Sequence, residues 1–190
     1  ASGHGPGKLP PPSALAVPRP VTGTFGRQMT PPPIPISLEK GVLLEDSQSL
    51  LCWGASRDTA WSIGNPSHHR QTDDPTRIKW EENILGGLPC GLLAYLPDSA
   101  TLDRVSIWLR LPENTCPRDA RYQYCRLFDH LFVRLGQPHI ISAGLGNFYA
   151  PILTWKHQNC VLQLYTGEHH GDFTSLEITH GKAPRFQERK

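Results

Sequence analysis

The side chains with the most chemical reach in this sequence are its histidines, thiols and paired acids. His68 and His69 are adjacent, Glu168, His169 and His170 form a second run, and His157 lies three residues before Cys160. Imidazole, thiolate and carboxylate are the ligands that zinc takes in a tetrahedral site. The spacing argues otherwise, because no H-x-x-x-H or C-x-x-C is present and adjacent histidines on a strand point to opposite faces. The expectation is solvated loops and no metal. Asp73–Asp74 and Glu81–Glu82 would serve as acid and base only if burial separated their pKa values. Nothing in their polar context argues for that. The G-x-G at Gly144 neither follows a strand nor opens a helix, so no dinucleotide cofactor is expected. Cys125 and Cys160 fall on apolar faces, where a thiol is usually inert. The expectation is therefore a protein that is not an enzyme, with no catalytic residue and no cofactor. The alternative is a small hydrolase or transferase using His and Asp residues of the loops 65–77 and 139–170.

The elements that would position these residues are announced by a phrase that occurs twice. Ser62–Ile63–Gly64–Asn65–Pro66 precedes a loop and then Arg77–Ile78–Lys79–Trp80; Arg134–Leu135–Gly136–Gln137–Pro138 precedes a loop and then Ile152–Leu153–Thr154–Trp155. In each, glycine followed by proline two residues on is the chemistry of a helix end. Ser56 suits an N-cap, predicting a short helix near 56–63. Pro117 suits a first helical turn. Tyr124, Cys125, Phe128, Leu131, Phe132 and Leu135 recur at helical spacing, predicting a second helix over 117–135 with those residues as its apolar stripe. Two apolar bursts within 34–54 read as strands around a turn. "RIKW", "CGLLAYL" and "RVSIWLRL" follow the first helix as strands, and "ILTW", "CVLQLY" and "SLEITH" follow the second. The predicted fold class is α+β: an antiparallel sheet from two units of one helix and a three-strand meander, about 34–112 and 113–183, with both helices on one face.

Strand alternation assigns the faces. Cys90, Leu92, Ala94, Leu96, Val105, Ile107, Leu109, Leu111, Cys160, Leu162, Leu164, Leu176 and Ile178 should lie under the helices. The opposite face carries Tyr95, Ser106, Trp108, Arg110, Gln163, Tyr165, Glu177 and Thr179. Aromatics with Arg and few other charges are the composition of interface hot spots. Tyr95, Trp108, Arg110, Gln163, Tyr165 and Glu177 are thus the candidate partner-binding residues, with the loops 65–77 and 139–151 beside them.

Composition bounds the rest. The 190 residues fit one domain or two small ones sharing a core. Lys8, Arg19 and Arg27 are the only charges in the first 38 residues, so residues 39–190 hold 16 basic and 17 acidic side chains. That near-neutral body gives no electrostatic argument for nucleic acid, and no apolar run approaches the roughly 18 residues of a membrane span. Cys52, Cys90, Cys125 and Cys160 sit inside apolar patterns and, with Cys116, make an odd count. They read as reduced, buried hydrophobes of a cytoplasmic protein rather than a disulfide frame. Ten of the 19 prolines lie in the first 35 residues. Residues 1–33 are expected to be disordered. Met29 suggests a natural start with residues 1–28 as leader, and a polyproline-II linker is the other reading. Residues 184–190 read as a basic tail.

The stretch "LCWGASRDTAWSIGNP…RIKW…GLLAYLPDSATLDRVSIWL" resembles the helix, Gly-x-Pro and hairpin pattern of β-lactamase-inhibitor-protein-like modules over roughly residues 50–180. It is also similar to small immunity proteins that neutralise bacterial toxins. The resemblance implies an inhibitor or immunity role in a bacterium, with a cognate toxin as protein partner, by analogy of fold alone.

Overall fold

A computed structural model describes residues 36–68, 74, 76–111, 120–143, 150–168 and 172–181. All belong to the second of the two units into which the chain divides, Pro32–Lys190. Cys116, Pro117, His69, Asp73, Gly144, His169, His170, the Pro-rich residues 1–35 and the basic tail lie outside the described residues.

The elements run β1 (Gly41–Leu44), β2 (Ser49–Cys52), α1 (Arg57–Trp61), β3 (Ser67–His68), β4 (Arg77–Ile84), β5 (Leu88–Tyr95), β6 (Arg104–Leu109), α2 (Ala120–Leu135), β7 (Ile140–Ser142), β8 (Ile152–His157), β9 (Cys160–Glu168) and β10 (Asp172–His180). β1 and β2 form a two-stranded ribbon, and the other strands form one antiparallel sheet in the order β3-β4-β5-β6-β10-β9-β8-β7. The protein is thus mixed α+β and rich in sheet. Each helix is followed by four strands rather than the expected three, because the loops 65–77 and 139–151 each contribute a short strand, β3 and β7, to a sheet edge. None of the helices among the described residues is long and apolar enough to cross a membrane.

Local chemistry explains the two helices. Ser56 caps α1 from an extended conformation, its Oγ accepting from the Thr59 N–H at 3.3 Å. Gly64 and Gly136 take φ of +63° and +76°, the left-handed turn that ends a helix without a Cβ clash. Each end is then tied to the sheet by a fully buried tryptophan. Trp80 Nε1 donates to the Ile63 carbonyl and Trp155 Nε1 to the Gly136 carbonyl, both at 2.9 Å. The doubled phrase therefore has a structural meaning: helix end, loop, and a strand whose Trp returns to satisfy a carbonyl left open at that end.

The core lies on one side of the sheet. Ile78, Trp80 and Ile84 of β4, Cys90, Leu92 and Ala94 of β5, Val105 and Ile107 of β6, Leu162 and Leu164 of β9, and Leu176 and Ile178 of β10 are buried there with Leu127 and Leu131 of α2, Ala60 of α1, and Val42, Leu44 and Leu51 of the ribbon. Each of the valines, leucines and isoleucines among them contributes on the order of 1.5–3 kcal/mol. Glu82 sits among them at 2% exposure, and its Oε2 accepts from the Asp46 and Ser47 N–H groups at 3.1 Å. That carboxylate stitches the ribbon's turn to the sheet.

Two expectations require correction. The α2 stripe runs through Ala120, Leu127 and Leu131, flanked by the partly buried Tyr124, Phe128 and Leu135; Cys125 is exposed and Phe132 is 41% exposed. The stripe drawn on the sequence was rotated toward Cys125 and Phe132, and it passed over Leu127. Cys52 is also exposed, on the ribbon's outer face. Cys90 and Cys160 are buried as expected, and burial pushes their thiols up to about 12 and about 11.

Candidate protein-binding face

The open side of β4, β5 and β6 is built by register. Glu81 pairs with Gly91 and Gly91 with Trp108, so these three form one row across the strands. Lys79, Leu93 and Ser106 form the next row, and Arg77 pairs with Tyr95 beyond it. The absence of a side chain at Gly91 leaves a flat recess that the Trp108 indole fills. A Cβ at position 91 would lie 2.3 Å from two of the ring carbons. The ring is held from the side as well, with Lys79 Nζ 5.6 Å from its centroid. Lys79 pairs with Glu81, and Arg110 reaches the other Glu81 oxygen at 3.7 Å. Tyr95 is 61% exposed at the far end of the patch.

This half of the face therefore presents a pinned indole, an exposed phenol, the cations Lys79 and Arg110 around Glu81, and Arg77 paired with Asp74 at 3.4 Å. Its exposed ion pairs are worth little in stability. Their consequence is to hold long side chains near Trp108, where a partner could desolvate them.

Of the six residues singled out from sequence, Tyr95, Trp108 and Arg110 lie on this open patch. Gln163, Tyr165 and Glu177 do not belong to it, because they are buried at 2%, 5% and 2%. Gln163 Nε2 donates to Thr154 Oγ1 at 3.3 Å, Tyr165 packs edge-on to Phe173 with centroids 6.3 Å apart, and Glu177 lies 3.6 Å from Arg104 Nε. Alternation placed them correctly on the side away from the helices, but that side is not uniformly exposed. Tyr95 and Tyr165, which occupy matching places in the strand sequences "CGLLAYL" and "CVLQLY", thus end in opposite environments. Sequence reasoning passed over Arg77, Lys79 and Gly91. The first two were legible in the alternation of Arg77-Ile78-Lys79-Trp80-Glu81. A glycine within a strand was the available signal for the third, since such a gap invites a close approach.

Among the described residues, several side chains with chemical reach have structural occupations. His157 Nε2 bonds the Ile36 carbonyl at 2.9 Å, His139 Nδ1 accepts from the Lys156 N–H at 3.2 Å, and His180 stacks on Trp53 with centroids 5.4 Å apart. Asp74 accepts from both the hydroxyl and the N–H of Thr76, and these bonds hold its carboxyl below the usual range. Glu81 and Glu82 point to opposite sides of β4, one exposed and one buried. Among the described residues no three His, Cys, Asp or Glu side chains converge as a metal site.

No family model matches the chain, and no match to it was found among the curated proteins or the solved structures.

Proposed function

We propose that this chain is a non-enzymatic binding protein that covers a partner protein with the open face of β4, β5 and β6. The observation that carries the reading is Trp108, laid over Gly91 and ringed by Lys79, Arg110 and Glu81, with Tyr95 exposed nearby. A pre-positioned indole beside Arg side chains is the composition of binding hot spots, and its fixed rotamer reduces the entropy lost on association. The partner in this reading is a bacterial toxin that the chain, acting as a cytoplasmic immunity protein, holds inactive by occlusion. The resemblance to β-lactamase-inhibitor-protein-like modules supports that finer part. Of the histidines in the loops 65–77 and 139–170, His139 and His157 are engaged in structural contacts, so the hydrolase or transferase alternative gains no support from those two.

The same reading takes the two halves as copies of one helix-plus-meander unit. It is supported by the strand order, which mirrors itself about the β6·β10 seam, and by the matched bonds of Trp80 and Trp155. At that seam Val105 pairs with Ile178 and Ile107 with Leu176.

The test is co-expression with a toxin found encoded beside the gene. Growth should be restored by the parent chain, and Trp108→Ala with Tyr95→Ala should weaken the purified complex by roughly 2 kcal/mol or more, about 30-fold, with folding intact. An unchanged dissociation rate would remove this face from consideration.

A further inference from the structure

The β1–β2 ribbon offers a second surface, on the helix side of the sheet and independent of the patch around Trp108. Its ladder pairs Gly41 with Cys52, Val42 with Leu51, Leu43 with Leu50 and Leu44 with Ser49. The Trp53 N–H donates to the Lys40 carbonyl at 3.0 Å, one pair further along. Antiparallel ladders alternate, so Lys40·Trp53, Val42·Leu51 and Leu44·Ser49 are the hydrogen-bonded pairs. The N–H and C=O groups of Gly41 and Leu43 therefore point away from β2. Among the described residues no other strand pairs with β1.

That free edge borders a groove of about 850 Å³ lined by Ile36, Leu38, Leu43, Leu50, Leu85 and Gly86, among others. Leu43 and Leu50, a cross-strand pair, are 43% and 38% exposed. Exposed edges in soluble proteins are normally blunted by charge, proline or a bulge. Here the two edge positions are Gly41, which is buried though it lines the groove, and the exposed Leu43, with Glu39 and Lys40 just before them.

The far wall of the groove is fixed in place. Glu45 accepts from the N–H groups of Gly86 and Gly87 at 2.6 and 2.7 Å, while Arg134 donates to the Gly86 carbonyl at 2.9 Å and His130 bonds the Leu85 carbonyl at 2.8 Å. The β4–β5 turn is thereby clamped between the ribbon and α2, so the groove keeps its width without a ligand.

We infer that this groove receives a short extended peptide of another protein, which pairs with Gly41 and Leu43 as a third strand of the ribbon and lays alternate apolar side chains on Leu43 and Leu50. Strand addition draws affinity from main-chain hydrogen bonds and specificity from alternate side chains, and the groove supplies both. A concavity of this size suits a peptide. A four-residue strand is too small for the roughly 1,200–2,000 Å² of a stable dimer, which disfavours a second copy.

The probe is a phage-displayed library of random nonapeptides selected on the immobilised full chain. Expected winners carry apolar residues at every second position. N-methylation along a synthetic winner should cost tenfold or more at alternate amides and little at those between. Leu43→Pro removes an N–H that β2 does not use, and it should weaken binding at least tenfold beyond Leu43→Thr with an unchanged urea midpoint. Trp108→Ala should leave peptide affinity unchanged, which separates this site from the open sheet face. The inference is overturned if no peptide is enriched over a surface without the protein, or if N-methylation has no two-residue period. A concentration-dependent dimer abolished by Leu43→Pro would also overturn it, by making a second copy the occupant.

Discussion

Substituting Gly91 by alanine tests whether Trp108 is pinned to the sheet as described. The new Cβ would stand 2.3 Å from Trp108 Cε2 and Cζ2 and 2.6 Å from Nε1. Carbon atoms rest comfortably at about 3.5–4.0 Å, so the ring must retreat by at least ~1.2 Å. Backbone cannot yield without breaking the β5·β6 ladder, in which Gly91 pairs with Trp108. The indole therefore lifts off. A buried Trp covers about 150–250 Å². If lifting re-exposes roughly 60–100 Å² of this half-buried ring, the loss is about 1.5–2.5 kcal/mol at ~25 cal/mol per Å². Alanine returns about 0.5–1 kcal/mol by restricting the unfolded chain. The net cost is about 0.5–2 kcal/mol with Trp108 present, against a gain of about 0.5–1 kcal/mol in a Trp108→Ala background, a coupling near 2 kcal/mol. Urea unfolding of the four proteins measures it. If Gly91→Ala changes the midpoint equally with and without Trp108, the recess is not what holds the ring.

Three further outcomes are expected. Burial, chiefly, and then the neighbouring Arg134 lower the His130 pKa from its ordinary 6.5, so the unfolded chain protonates first as pH falls. The facing Glu45 and the Leu85 carbonyl oppose that shift, and Arg126 adds to it. Stability should therefore be full above the unfolded value and decline as pH drops below about 6.5, and His130→Gln should flatten that decline in unfolding titrations between pH 8 and 5. Trp80→Phe and Trp155→Phe each leave a helix-end carbonyl without its indole donor and open space in the core, and each should cost roughly 2–4 kcal/mol in chemical unfolding; a variant that unfolds like the parent would remove that anchor. Alkylation mapped by mass spectrometry should label the exposed Cys52 and Cys125 in the native protein and spare Cys90 and Cys160 until it unfolds, since burial keeps those two thiols protonated.

Much of the architecture follows from local signals in the sequence. Alternation in 88–96, 104–109, 160–164 and 176–178 put the right residues under the helices, because a strand's side-chain period is set by its own backbone. Ser56, Gly64 and Gly136 marked helix ends, because capping is settled within a turn of the chain. The short strands β3 and β7 carried no such signal; they exist only because β4 and β8 offer them an edge. The rotation of α2 about its own axis was also undetermined, since helical spacing admits neighbouring stripes and only the sheet beneath selects Leu127 and Leu131 over Cys125 and Phe132.

The candidate surface divides along the same line. Sequence alone set Tyr95, Trp108, Arg110, Gln163, Tyr165 and Glu177 on the side away from the helices. Tertiary structure decided that the first three face solvent and the last three are buried, because exposure depends on what packs across a face and not on the strand's own period. It also decided that Trp108 lies on Gly91. Those residues are 17 positions apart, and their meeting is fixed by the register of β5 on β6, a long-range pairing that no local pattern encodes.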